Sequence, residues 1–139
     1  MATGPLGASP TVVLKLGDEE RCLPIYIGLW EAISIRNALK HEVPPRPLTH
    51  DLFVEFMRSY DIVLRELVID SLEDGVFYAR LILERDHHRM SMDCRPSDGI
   101  ALSLRCGAEM LVDPGVVAGS SVPFREISGL EDLDTYLTG

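Results

Sequence analysis

Residues 75–106 read GVFYARLILERDHHRMSMDCRPSDGIALSLRC. GVFYARLILE (75–84) is a β run, 85–88 form a charged turn, and HHRMSMDC (87–94) returns as a second strand. In RPSDGIALSLRC, Ser97 is expected to cap a helix that buries Ile100, Leu102 and, in part, Leu104. Asp98 falls in its first turn, where a carboxylate complements the helix dipole. The stretch therefore reads strand, turn, strand, helix.

The same layout occurs earlier in the chain. TVVLKL (11–16) alternates, GDEE turns, RCLPIYIG (21–28) alternates again, and WEAISIRNALK (30–40) has helical spacing. Trp30, Ile33, Ala38 and Leu39 are the expected buried face of that helix. Aligning Glu31 with Asp98 sets an offset of 98 − 31 = 67. Leu14, Leu16, Leu23, Ile25, Ile27 and Ile33 then fall on Leu81, Leu83, Met90, Met92, Cys94 and Ile100 without a gap. The pattern predicts an α+β fold: two β-β-α repeats around a single mixed, barrel-like sheet. Unbroken apolar runs such as LVI (67–69) and LIL (81–83) suggest strands covered on both faces, by helices or by a second subunit.

Between the two units, PPRP (44–47) stops the first helix. Thr49 is the expected cap of a second helix, with Asp51 in its first turn and Leu52, Phe53, Phe56 and Met57 along it. IVLRELVIDSL (62–72) is a strand joined to the next through Glu73-Asp74-Gly75, a strong hairpin turn. EMLV (109–112) is a last short strand, and LEDLDTYL (130–137) suits a terminal amphipathic helix. The expected organisation is a disordered segment over 1–10, one domain over 11–119 and a tail over 120–139.

The formal net charge, 13 − 22 = −9, excludes a chain coated with phosphate-binding cations but allows a local basic cleft. Eleven arginines stand against only Lys15 and Lys40, and arginine suits bidentate grips on phosphate or carboxylate. Cys22, Cys94 and Cys106 cannot all pair and show no CxxC spacing, which fits a reducing cytosol. MATGPLGASPT has no basic region followed by an apolar run, and no apolar stretch reaches membrane-spanning length. A cytoplasmic chain without a membrane partner is expected.

LPIYIG followed by WEA, then VPPRPLTHDLF, DGVFYARLILE and CRPSDGIALSLR, in this order over about 12–117, resemble the bifunctional nuclease family. The resemblance implies two repeats around one barrel-like sheet, often dimeric, and hydrolysis of both RNA and DNA phosphodiesters. Two departures from the family pattern stand out. Members usually carry a further strand ahead of VVLK (12–15), which MATGPLGAS is not expected to supply. Gly99 stands where alanine is usual, at a cost of up to ~1 kcal/mol in a helix interior.

A nuclease needs a base or metal to make the attacking hydroxide, cations for the charge on phosphorus, and a proton for the leaving group. His50 is the candidate base. Arg46 and Arg95, each beside a proline, are the candidate phosphate grips, with Ser97 as a further substrate contact. Glu31, Asp51 and Asp98 are the oxygen ligands expected for Mg²⁺ or Mn²⁺. Arg46 and Arg95 serve equally well as clamps on Asp51 or Asp98, and all three carboxylates suit helix starts. His87-His88 look like a metal clip, but neighbours on a strand point to opposite faces. Tyr26 and Trp30 read as core or dimer surface ahead of base-stacking platforms. No HNH-like, DEDD-like or PD-(D/E)xK-like spacing is present. Two functions fit: a nuclease, non-specific for single-stranded RNA and DNA and acting as a homodimer, or a non-enzymatic dimeric module whose arginines hold an anionic ligand or a partner.

Overall fold

The computed structural model describes residues 2–3, 10–17, 20–123 and 131–132. Its core forms where β4 (Val63–Glu73) pairs antiparallel with β5 (Val76–Arg85). Leu67, Ile69, Leu81 and Leu83 are buried on one face, while Val68 and Ile82 between them are only half-buried. Within one chain the apolar runs thus have one face fully covered and the other half-covered. Leu64 and Leu67 are both buried although three apart, because a register shift between Leu64 and Glu66 re-aims the strand. Asp74 and Gly75 close the hairpin with φ of 51° and 79°, the two positive values that a tight two-residue hairpin turn needs.

β6 (His88–Cys94) pairs with β5 through a turn at Asp86 and His87, both also at positive φ. α3 (Pro96–Cys106) then crosses β4 and β5 and ends at Gly107, whose φ of 66° is a left-handed cap. That cap returns the chain as β7 (Glu109–Val112), parallel to β4. The four strands lie in the order β6-β5-β4-β7.

A second sheet holds β2 (Pro10–Lys15) and β3 (Arg21–Tyr26), an antiparallel hairpin followed by α1 (Leu29–Leu39). Its other strands are short: β1 (Ala2–Thr3), β8 (Val122–Pro123) and β9 (Glu131–Asp132), giving the order β8-β3-β2-β1-β9. α2 (Thr49–Ser59) follows α1, and α4 (Pro114–Ser120), which the sequence reading missed, follows β7. α3 packs against both α1 and α2.

The α+β class holds, and strand–strand–helix occurs twice, as β2-β3-α1 and β5-β6-α3. A single barrel-like sheet is corrected: each hairpin pairs within its own sheet, and the described strands form two open sheets. Ala2–Thr3 does supply a strand ahead of VVLK, pairing with Pro10 and Thr11. Glu131–Asp132 pairs with that strand; the rest of 130–137, where a terminal helix is expected, and residues 1 and 4–9 lie outside the described residues.

Helix starts and faces also differ from expectation. α2 starts after Leu48 and α3 after Arg95, both extended, so Thr49 and Ser97 sit inside the first turn rather than at the cap. Pro96 explains the second case, since its fixed φ suits the first helical position. Trp30 and Leu39 are 78% and 51% exposed, while Ala32, Ser34, Ile35 and Ala38 are buried. Those three small side chains let α1 lie close to α3. On α2, Val54 and Met57 are buried and Leu52 and Phe56 exposed.

Candidate functional site

Three helices frame a cleft of about 420 Å³. Trp30, Glu31 and Ser34 line it from α1, Leu48 and His50 from the start of α2, and Arg95 and Asp98 from the start of α3. The loop carrying PPRP closes one side through Pro44.

His50 is the hub. Its Nδ1 lies 2.6 Å from Ser34 Oγ and its Nε2 lies 2.9 Å from Asp98 Oδ1. Arg105 Nη2 donates to the same Ser34 Oγ at 3.0 Å. The Asp98 carboxylate oxygen can only accept, which places a proton on His50 Nε2. The imidazole then donates from Nε2 to Asp98. The other Asp98 oxygen accepts from Arg95 Nε at 3.1 Å, and Arg95 Nη2 reaches Glu31 Oε1 at 3.5 Å.

Arg105 ties the helices together beneath this row. It donates to Asp51 Oδ1 at 2.8 Å, to the Ser34 carbonyl at 3.1 Å and to the Ala101 carbonyl at 2.9 Å. Its side chain is 9% exposed, and a cation so buried requires this degree of pairing. Asp51 also accepts from Leu48 N at 3.0 Å and so caps α2 in place of Thr49. Burial disfavours the Asp51 carboxylate, but the Arg105 and Leu48 hydrogen bonds outweigh it and hold its pKa below the ordinary value. Cys94, near the start of α3, is different. Burial, then the charges of Asp98, Asp93 and Asp70, push its thiol up to about 11, so it stays protonated at neutral pH.

The sequence-predicted residues divide. His50, Asp98, Arg95 and Glu31 meet at the cleft. Asp51 lies behind it, bound to Arg105 and not to Arg46. Arg46 is exposed and has no hydrogen bond or ion pair among the described residues. Ser97 is 6% exposed and lines a neighbouring cleft. His87 and His88 are exposed in the β5–β6 turn. Sequence reasoning missed Ser34 and Arg105. The available signal was a charge in an apolar helix, seven residues after Asp98 and therefore on the same face.

Among the described residues no three His, Cys, Asp or Glu side chains are placed to hold a metal ion. Glu31, Asp51 and Asp98 do not fit a shared cation as they stand, since each already faces an arginine.

Comparison with known proteins bears on this site. An "Uncharacterized protein" of Mycobacterium tuberculosis is 38% identical over 109 residues, 78% of this chain and 65% of its own length. "Bifunctional nuclease 1" of Oryza sativa subsp. japonica is 27% identical over 106 residues, 73% of this chain and 32% of that protein. The chain thus spans only part of the relatives it matches. Residues 12–125 match the bifunctional nuclease domain, and they contain every residue of the cleft. The chain belongs to the bifunctional nuclease domain family.

Proposed function

We propose that this cleft hydrolyses phosphodiester bonds of single-stranded RNA and DNA. The observation that carries the reading is Asp98, shared between His50 and Arg95 on the cleft wall. Arg95 is 69% exposed and its bond to Glu31 is long, so it is the cation free to turn toward a phosphate. Turning releases one Asp98 oxygen to accept a proton from water. His50 Nε2–H holds the other oxygen, and Ser34 with Arg105 holds His50 in place. The water oxygen bonds to phosphorus, one P–O ester bond breaks, and the leaving oxygen takes a proton from solvent. Asp98 is the catalytic residue in this scheme and His50 a positioning residue. No step is routed through Mg²⁺ or Mn²⁺, because a cation would have to displace Arg95 from both carboxylates.

The homodimer belongs to the same reading. Met90 and Met92 pair with buried Leu83 and Leu81, yet they are 42% and 45% exposed on the edge strand β6, apolar surface that a second copy would cover. β2-β3-α1 and β5-β6-α3 are read here as repeats of one unit. The competing non-enzymatic module gains from one observation: the carboxylates at the site are already neutralised by arginine, as in a resting anion-binding site.

Cleavage of labelled single-stranded RNA and DNA, with Mg²⁺, Mn²⁺ or EDTA, decides between them. Asp98→Asn should cut at least about a hundredfold more slowly, the usual scale for losing an acid or base. His50→Gln should shift the pH profile while staying folded by circular dichroism. His50→Ala is the poorer probe, since it removes the partner of Ser34 Oγ and of Asp98 Oδ1 and so mixes a structural loss with a catalytic one. Wild-type rates in Asp98→Asn would remove Asp98 from the mechanism, and no cleavage above buffer by the wild type would leave the binding module.

A further inference from the structure

A second cleft, of about 550 Å³, lies beside the first. It runs between Tyr26 and Leu29 on one side and Val76 and Phe77 on the other. The two clefts share two residues, Glu31 and Arg95, the ion pair that stands between them. Each cleft also presents one exposed aromatic side chain. Trp30, 78% exposed, lines the first; Tyr26, 75% exposed, lines the second.

Two large rings left in water on either side of an exposed arginine need an explanation, because burying either would stabilise the fold. A single strand of nucleic acid supplies one. Its unpaired bases stack on aromatic side chains, and its backbone phosphate lies between successive bases. A duplex keeps its bases stacked inside and cannot use such platforms. Arg46, exposed between the cleft-lining Pro44 and Leu48, adds a cation at the rim of the first cleft.

We infer that Trp30 and Tyr26 are stacking platforms for the two bases flanking the phosphate held by Arg95, and that Glu31 occupies Arg95 until a strand arrives. The inference rests on the single-stranded nucleic-acid reading above and assigns its subsites. It also reverses the role expected of Glu31. A metal ligand helps the substrate bind, whereas a carboxylate already bound to the phosphate grip competes with it. Opening the Glu31–Arg95 pair joins the two clefts into one groove.

Trp30 is the only tryptophan of the chain, so its fluorescence reports the first platform directly. The experiment titrates the full chain with a hexathymidylate strand and with an abasic strand of equal length and charge, checking afterwards by gel that the strands are intact. Hexathymidylate should quench Trp30 saturably, and the abasic strand should bind at least tenfold more weakly without quenching. Tyr26→Ala should weaken hexathymidylate binding about fivefold to a hundredfold, the measured worth of one stacked base, with Tyr26→Phe near wild type. Glu31→Gln should tighten it severalfold.

Equal binding of the two strands, or unchanged binding in Tyr26→Ala, overturns the platforms. Weaker binding in Glu31→Gln overturns the competitor role. If no strand quenches Trp30 and Tyr26→Ala instead lowers the sedimentation coefficient, the aromatics belong to a self-association contact and the inference fails. Base-dependent binding without cleavage would sink the hydrolysis reading and leave this one standing; cleavage with base-independent binding would do the reverse.

Discussion

Arg105 Nε lies 2.8 Å from Asp51 Oδ1, joining the last turn of α3 to the first turn of α2. The same guanidinium reaches Ser34 on α1, so one side chain holds the three helices that frame the cleft. Removing it would leave a carboxylate 13% exposed and a buried hydroxyl short of a partner. Arg105→Met is expected to destabilise the fold by about 3–5 kcal/mol in urea unfolding, with Arg105→Lys intermediate, because lysine keeps the charge but loses the fork. A loss under about 1 kcal/mol would remove Arg105 from this role.

The Asp51 pairing has a pH signature. Its folded pKa is held below that of an unfolded aspartate, near about 3.9. The stability from this pair is therefore fully present above that value and lost as pH falls through the lower, folded one. Urea midpoints measured from pH 6 down to pH 2 should fall more steeply for the wild type than for Asp51→Asn over this acidic window. Parallel curves would show that Asp51 is not held in its charged form by folding.

Gly99 meets the core more closely than any side chain could. A Cβ there would lie 2.4 Å from Leu67 Cδ1 and 3.2 Å from Cys94 Sγ. Leu67 is fully buried and has nowhere to swing, so the close packing here favours a residue without a Cβ. Gly99→Ala should cost about 1–3 kcal/mol by overpacking. Leu67→Ala alone should cost about 2–5 kcal/mol, and the double variant clearly less than the sum. Additive losses in the cycle would mean that the two positions do not compete for space.

Ser103 is 1% exposed, and its hydroxyl has no hydrogen-bond partner among the described residues. An unpaired buried hydroxyl costs about 1–3 kcal/mol, and alanine is also the better helix former. Ser103→Ala should therefore raise the melting temperature, by about 4 °C for each kcal/mol recovered. A lower melting temperature would show that the hydroxyl has a partner in solution.

The sequence by itself determined the local elements: β2 to β7 and α1 to α3 follow from alternation, helical spacing and turn residues such as Asp74-Gly75. Those signals act over a few residues, so they survive without knowledge of what packs where. It also offered His50, Arg95, Asp98 and Glu31 as candidate site residues, together with Arg46, Asp51 and Ser97, but only the structure brings the first four to one cleft. Which helix faces are buried was not legible, because Trp30 and Leu39 on α1 look like core until α3 is seen to take the small-residue face instead. Nor was the wiring of the site. Ser34 meets His50 across 16 residues, His50 meets Asp98 across 48, and Asp51 meets Arg105 across 54. Such partners are chosen by the packing of three helices on a sheet, since only that packing brings their short side chains within hydrogen-bond reach and removes the competing water.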